Sequence, residues 1–369
     1  MKRATPYFEI DEKRLEENLC ILQKVAQEGD CHILLAQKAY SIYQTYPLIS
    51  AYLHGSTASG LYEARLGYEH MGGETHVFSP AYDEKSFDEL LTYVDHLSFN
   101  SFSQWERFKE KALSAKKSCG LRINPACSTQ GAGMYDPCAP KSRLGILRQA
   151  FDGKDLTGIE GLHFHTLCEQ NADALEKTLE AVEEQFGDLL KKLSWLNLGG
   201  GHHITRKNYD VDKLIALLKG LHTRYPNLRL YLEPGEAVVL NAGVLVATVE
   251  DIVHNDGDIA ILDASAACHM PDVLEVPYTP PLFEATEDGP YAYRLGGPTC
   301  LAGDVIGDYA FQKPLSIGDR LTFGDMALYT MVKTNTFNGM ALPHIYYRKK
   351  DGSIETIRQF GYEDFKSRL

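Results

Sequence analysis

The sequence predicts an α/β protein: a (β/α)8 TIM barrel joined to a second, mostly antiparallel β domain. Eight short β-rich runs alternate with longer helical patterns over roughly 210 residues, the count and spacing an eight-stranded parallel barrel needs. After about Asn241 the texture changes to alternating runs such as GVLVATVEDIV, IAILDAS and DRLTFG, broken by turn signals at HNDGD and KKDGS. The 369 residues are 44% apolar and 24% charged, enough for a large core or two domains.

Taken in order, the first strand candidate is HILLA at 32–36, followed by a helical stretch through Tyr46. The second strand falls at 53–58 with a helix at 61–67, the third at 75–78 with 84–91, and the fourth at 96–99 with 104–115. A fifth lies at 120–123; the sixth, 159–165, precedes a clear helix at 172–190. The seventh, 195–198, precedes a helix at 211–222, and the eighth is 228–232. The expected barrel spans 25–240. The N-terminal YFEI fits the other texture, so the β domain is expected to be discontinuous, 1–24 plus 241–369.

Lysine and arginine number 37 against 50 acidic residues, a net charge of −13. That balance argues against a nucleic-acid binder, which must neutralise phosphates, and favours cationic small molecules. No apolar run is long enough to span a bilayer, and MKRATPYFEIDEKRLEEN lacks the apolar core of a signal peptide. The expectation is a cytoplasmic protein without nucleic-acid or membrane partners. Eight cysteines without a CxxC pair suggest neither a disulfide framework nor a zinc site.

Chemistry in such a barrel sits at the carboxyl ends of the strands. Lys38 follows ILLA; a partly desolvated amine there can form a Schiff base with an aldehyde, although the residue alone reads more readily as a surface lysine in a loop. In GLHFHT, His163 and His165 share one side of a strand, as a metal pair, a ring-stacking imidazole or core histidines. Gly199, Gly200 and Gly201 follow the apolar strand of LNLGGGHH, where bare backbone N–H groups can wrap a phosphate. Glu233 ends the eighth strand before the Pro234-Gly235 turn; a carboxylate there can hold a pyridinium proton or simply cap a helix. Together these four features are the requirements of pyridoxal 5′-phosphate (PLP).

With LLAQKAYS, HFHTLCEQN, LNLGGGHH, LEPGEAVV, GPTCLAGD and FGDMALYTMVKTNTFNG, the chain resembles the alanine-racemase-type (fold type III) PLP decarboxylases over nearly its whole length. Its nearest resemblance among them is to the carboxynorspermidine (carboxyspermidine) decarboxylases. The resemblance implies a homodimer with shared active sites, the GPTC segment crossing to the neighbouring subunit. It implies that Lys38 links covalently to PLP, that His165 stacks on the ring, and that Glu233 binds the pyridine nitrogen. It further implies phosphate contacts from Gly199, Gly200, Gly201, Gly235 and Tyr329, and a place near the substrate for Cys300, as proton donor.

Two departures bear on the substrate. Diaminopimelate and ornithine decarboxylases carry an arginine after the EPG turn, where this chain has Glu236; after the cysteine they have an acid, where it has Leu301, with Asp304 further on. The carboxynorspermidine branch shares EPGE, and by that resemblance Glu236 and Asp272 bind the substrate, Glu275 being the alternative to Asp272. The expected activity is decarboxylation of a cationic carboxylated polyamine, in polyamine and spermidine biosynthesis. The competing readings are a diaminopimelate- or ornithine-type decarboxylase or racemase of the same fold, a metal-dependent barrel hydrolase using His163, His165, His202 and His203, and a non-enzymatic PLP-binding barrel.

Overall fold

The computed structural model describes residues 3–129 and 135–369. They form two compact units: Glu16–Val238, and the residues up to Leu15 with Val239–Leu369. The chain opens with β1 (Tyr7–Asp11) and an 18-residue helix, α1 (Glu12–Gly29), that the sequence reading did not identify. Leu15, Leu19, Leu22 and Val25 of α1 are fully buried at helical spacing.

The first unit contains a closed barrel of eight parallel strands: β2 (Cys31–Ala36), β3 (Gly55–Ala58), β4 (Glu74–Phe78), β5 (His96–Phe99), β6 (Ser118–Arg122), β7 (Gly161–His163), β8 (Trp195–Asn197) and β9 (Arg229–Leu232). All eight predicted strands are present, and β2 pairs with β9 to close the ring, Cys31 opposite Leu230. The helix after β7, Ala172–Leu190, runs where the sequence placed it. Asn171 caps it by accepting from Ala172 N, and Leu175, Leu179, Val182, Phe186 and Leu190 are buried. The stretch after β2 differs: a tight turn at 37–39 leads to a 3-10 turn, Tyr43–Thr45, and one helical turn, Tyr46–Ile49. Pro47 suits the first turn of a helix and cannot sit inside a longer one, so no helix runs through Tyr46 from β2. The expected helix at 84–91 is likewise one turn, Phe87–Leu90.

The floor of the barrel is filled by Trp195, whose indole lies so near β7 that a Cβ on Gly161 would be 1.9 Å from it. Its Nε1 donates to Ser118 Oγ at 2.9 Å.

In the second unit, β10 (Gly243–His254) pairs antiparallel with β1, β11 (Asp258–Leu262) and β14 (Arg320–Gly324). β12 (Tyr291–Gly296) and β13 (Val305–Phe311) form an antiparallel pair, as do β15 (His344–Arg348) and β16 (Ile354–Arg358). Two contacts are parallel, β1 with β15 and β11 with β12. No described helix is long and apolar enough to cross a membrane.

Candidate active site

Lys38 lies in the turn that ends β2. Buried Gln37 pins that turn: its Nε2 donates to Glu63 O at 2.8 Å and its Oε1 accepts from Tyr46 Oη at 3.1 Å. Lys38 as a whole is exposed to solvent, yet its amine interacts with Arg122, Glu233 and Cys168. Desolvation lowers the amine pKa, Arg122 adds to the effect, and Glu233 and Cys168 oppose it. A less basic lysine has more free amine at neutral pH to attack a carbonyl.

Glu233 follows β9 and is buried. Asn197 Nδ2 donates to its Oε1 at 2.7 Å, and His163 Nε2 lies 3.6 Å from its Oε2. Burial pushes this carboxyl up, but His163, His76 and hydrogen bonds from Asn197 and Thr57 outweigh burial, and the net pKa falls below the usual value. A buried, ionised acceptor is what a pyridinium N–H requires. His163 is held neutral by burial, its pKa lowered to about 4, and neither ring nitrogen has a hydrogen-bond partner.

The glycine loop serves a different purpose from the one expected at two of its three positions. Gly199 N donates to Asn197 Oδ1 at 2.9 Å and Gly200 N to His165 Nδ1 at 3.0 Å, so these N–H groups are spent within the protein. What demands glycine is crowding and backbone: Gly199 has φ +69°, and its Cβ would lie 2.3 Å from Phe164 O. The loop thus places His165, whose Nδ1 accepts and whose Nε2 therefore carries the proton when neutral. Burial holds its pKa well below the ordinary imidazole value.

Glu236 opens the helical turn Glu236–Val239, with Oε1 3.6 Å from His203 Nε2. Cys168 is electrostatically coupled to both Glu236 and Lys38. Lys38, His165, Gly199, Gly200, Gly201, Glu233, Gly235 and Glu236 therefore all belong to the barrel unit.

Cys300, Asp272 and Tyr329 belong to the other unit. Cys300 is exposed, its N–H donating to Asn338 Oδ1 at 2.6 Å. Asp304 is buried and accepts from Ser265 Oγ at 3.0 Å and Thr299 Oγ1 at 2.7 Å, so it anchors the GPTC loop. Asp272 is no bare carboxylate: Lys333 Nζ bridges Asp272 Oδ1 and Glu275 Oε2. Tyr329 has φ +38° in a turn.

Sequence reasoning missed Arg122 and Asn197, and considered His203 only as a metal ligand. Arg122 is buried, donates to His165 O at 3.1 Å and lies 4.3 Å over the Phe78 ring. Its signal was an inward-facing charge on β6. A further cluster, Glu74, His76 and His96, sits where β4 and β5 begin. The His76 and His96 rings are stacked 4.0 Å apart at 8°, so an ion in the plane of one lies well out of the plane of the other. Arg229 already stands 3.6 Å from Glu74. Stacked rings and a nearby guanidinium make this cluster a poor cation site.

The residues present fit PLP: an amine of lowered basicity, a buried ionised carboxylate, an imidazole fixed by the loop, and two orphaned nitrogens on His163. Residues 27–327 match the family model described as pyridoxal-dependent decarboxylase, C-terminal sheet domain. The chain belongs to the pyridoxal-dependent decarboxylases, and PLP is its cofactor. It is 43% identical to the carboxynorspermidine/carboxyspermidine decarboxylase of Campylobacter jejuni, over 100% of this chain and 99% of that one. It is also 43% identical to the carboxyaminopropylagmatine decarboxylase of Synechocystis, over 99% and 95% of the two chains. The crystal structure of carboxynorspermidine decarboxylase from Campylobacter jejuni, complexed with norspermidine, superposes with a TM-score of 0.92 at 42% identity, covering 100% of both chains. Diaminopimelate decarboxylase from Helicobacter pylori shares the fold, with a TM-score of 0.84 at 18% identity over 100% and 98%. Family membership replaces the metal-hydrolase reading. His202 Nε2 faces Leu198 O and His203 faces Glu236, so His163, His165, His202 and His203 are not one ligand set.

Proposed function

We propose that the protein decarboxylates carboxynorspermidine, carboxyspermidine or both, releasing CO2 and norspermidine or spermidine in polyamine biosynthesis. The observation that carries this reading is Glu236 in the mouth of the barrel that holds Lys38. A carboxylate there attracts an inner amine that is cationic at neutral pH and repels the distal carboxylate of diaminopimelate.

Bound PLP supplies an aldehyde for the substrate's α-amine and a ring that withdraws the electron pair left as CO2 departs. Lys38 would hold the cofactor, its depressed basicity leaving more of the amine unprotonated at neutral pH. Glu233 keeps a proton on the pyridine nitrogen. His165 would cover the cofactor ring, and Gly201 and Gly235, with Gly199 and Gly200 shaping the loop, would hold the phosphate; Tyr329 would be a further phosphate contact. Glu236 and Asp272 bind the cationic chain, Asp272 sharing Lys333 with Glu275. Cys300 donates the proton that replaces CO2. The proposed assembly is a cytoplasmic homodimer with shared active sites.

Identity is the same to the carboxynorspermidine/carboxyspermidine and carboxyaminopropylagmatine decarboxylases, so the deciding experiment is CO2 release from a panel. Purified holoenzyme is given carboxynorspermidine, carboxyspermidine, carboxyaminopropylagmatine and diaminopimelate. One of the first two is expected to have the highest kcat/KM. A higher value for either of the others overturns the assignment.

A further inference from the structure

Both ring nitrogens of His203 are buried without a hydrogen-bond partner, an arrangement that native proteins keep only for a reason. The residue is 7% exposed. Two backbone ties fix the loop that carries it: Gln170 N donates to Gly201 O at 3.0 Å, and His203 N donates to Gln170 O at 3.2 Å. Gln170 is itself held by Thr129, whose Oγ1 donates to Gln170 Oε1 at 2.8 Å. A third tie reaches the helical turn of Glu236, where Thr205 Oγ1 donates to Ala237 O at 2.6 Å. The His203 ring and the Glu236 carboxylate are therefore held in register, with Nε2 and Oε1 3.6 Å apart. Burial, reinforced by Arg206, lowers the His203 pKa to about 4, so at neutral pH the ring has a single N–H.

We propose that His203 is a positioning residue for substrate selectivity: its Nε2–H steadies Glu236 Oε1 and so orients the carboxylate that meets the inner secondary ammonium of the polyamine. This rests on Glu236 binding that amine. A shift of a few tenths of an ångström closes the gap to an ordinary hydrogen bond. A neutral imidazole can orient the carboxylate without adding a positive charge that would compete with the substrate. His203 contacts no reacting atom in this arrangement and acts only through Glu236.

The test is calorimetric binding to the holoenzyme of norspermidine and of 1,7-diaminoheptane, which replaces the inner amine by a methylene at the same chain length. Wild-type enzyme should favour norspermidine by about 10- to 150-fold, the range for a charge-assisted hydrogen bond. His203→Phe should cut that preference by about 3- to 10-fold by weakening norspermidine alone, with 1,7-diaminoheptane affinity and cofactor absorbance unchanged. His203→Gln, which keeps a donor near the Nε2 position, should restore it. A His203→Phe preference equal to wild type overturns the role of His203, as does equal weakening of norspermidine and 1,7-diaminoheptane, which marks a structural effect. A wild-type enzyme without preference overturns the Glu236 reading itself.

Discussion

Asn197 couples the two halves of the cofactor site through one side-chain amide: Nδ2 donates to Glu233 Oε1 at 2.7 Å while Oδ1 accepts from Gly199 N at 2.9 Å. The carboxylate for the pyridine nitrogen and the loop that fixes His165 are therefore not independent. Replacing Asn197 by Leu keeps the branched shape and removes both bonds. A hydrogen bond to a charged group is worth about 1.5–3 kcal/mol net, so PLP affinity should fall by roughly 10- to 150-fold. Titration of apoenzyme with PLP, followed by absorbance, measures this, with circular dichroism to confirm folding. Unchanged affinity in a folded variant would show that Glu233 and the loop hold their places without Asn197.

The amine of Lys38 has its pKa lowered by desolvation and then by Arg122. Only the free base attacks an aldehyde, so the rate of PLP rebinding to apoenzyme should rise with pH and level off below the ordinary lysine value of 10.5. Stability follows the same sign. The folded state binds fewer protons here than the unfolded chain, so this residue's contribution to stability increases as pH rises towards 10.5. Borohydride reduction and peptide mapping should find the pyridoxyl group on Lys38. An adduct on Lys333, or a rate that levels off only at the ordinary value, would overturn the assignment.

The barrel was legible because its strands are apolar runs that end at turns, and Lys38, Glu233 and Glu236 stand at such ends. Helix Glu12–Gly29 was not, since EKRLEEN reads as polar until Leu15, Leu19 and Leu22 are taken at helical spacing. The glycine triplet was visible, but its hydrogen bonds were not. The acceptor of Gly199 N, Asn197, stands two residues upstream in the same motif, and only the turn's geometry shows the bond; the acceptor of Gly200 N, His165, comes from the neighbouring strand's end, 35 residues away. Asp272 was read as a substrate contact with Glu275 as the alternative, and the ion pair that joins both to Lys333 was not legible because Lys333 lies far along the chain.

Shared sites make a prediction about mixed subunits. If Cys300 of one protomer serves the Lys38 site of its partner, each Lys38→Ala/Cys300→Ala heterodimer contains one intact site. Random mixing of equal amounts should then recover about a quarter of wild-type activity. Each parent variant alone should be nearly inactive. Exchange of subunits, followed by native mass spectrometry, with no recovered CO2 release would defeat the shared-site assembly. A fully active Cys300→Ala enzyme would remove the proton-donor role.

Glu236 carries the substrate assignment, and Glu236→Gln tests it with little change of shape. If its carboxylate binds the inner amine, losing the charge costs about 1.5–3 kcal/mol, and kcat/KM for carboxynorspermidine should fall roughly 10- to 150-fold. The loss should fall mainly on KM, because the inner amine lies away from the bond that breaks and is bound before and during the reaction alike. PLP absorbance should be unchanged, since Glu233 and the glycine loop are untouched. The competing role is local: Glu236 opens a single helical turn, and a carboxylate in that position also favours the turn's N-terminal end. On that account Gln lowers the melting temperature and leaves kcat/KM nearly intact. The two roles thus predict opposite patterns in two measurements on one variant. Full cofactor with wild-type kcat/KM would remove the reason for preferring a polyamine over an amino acid at this site.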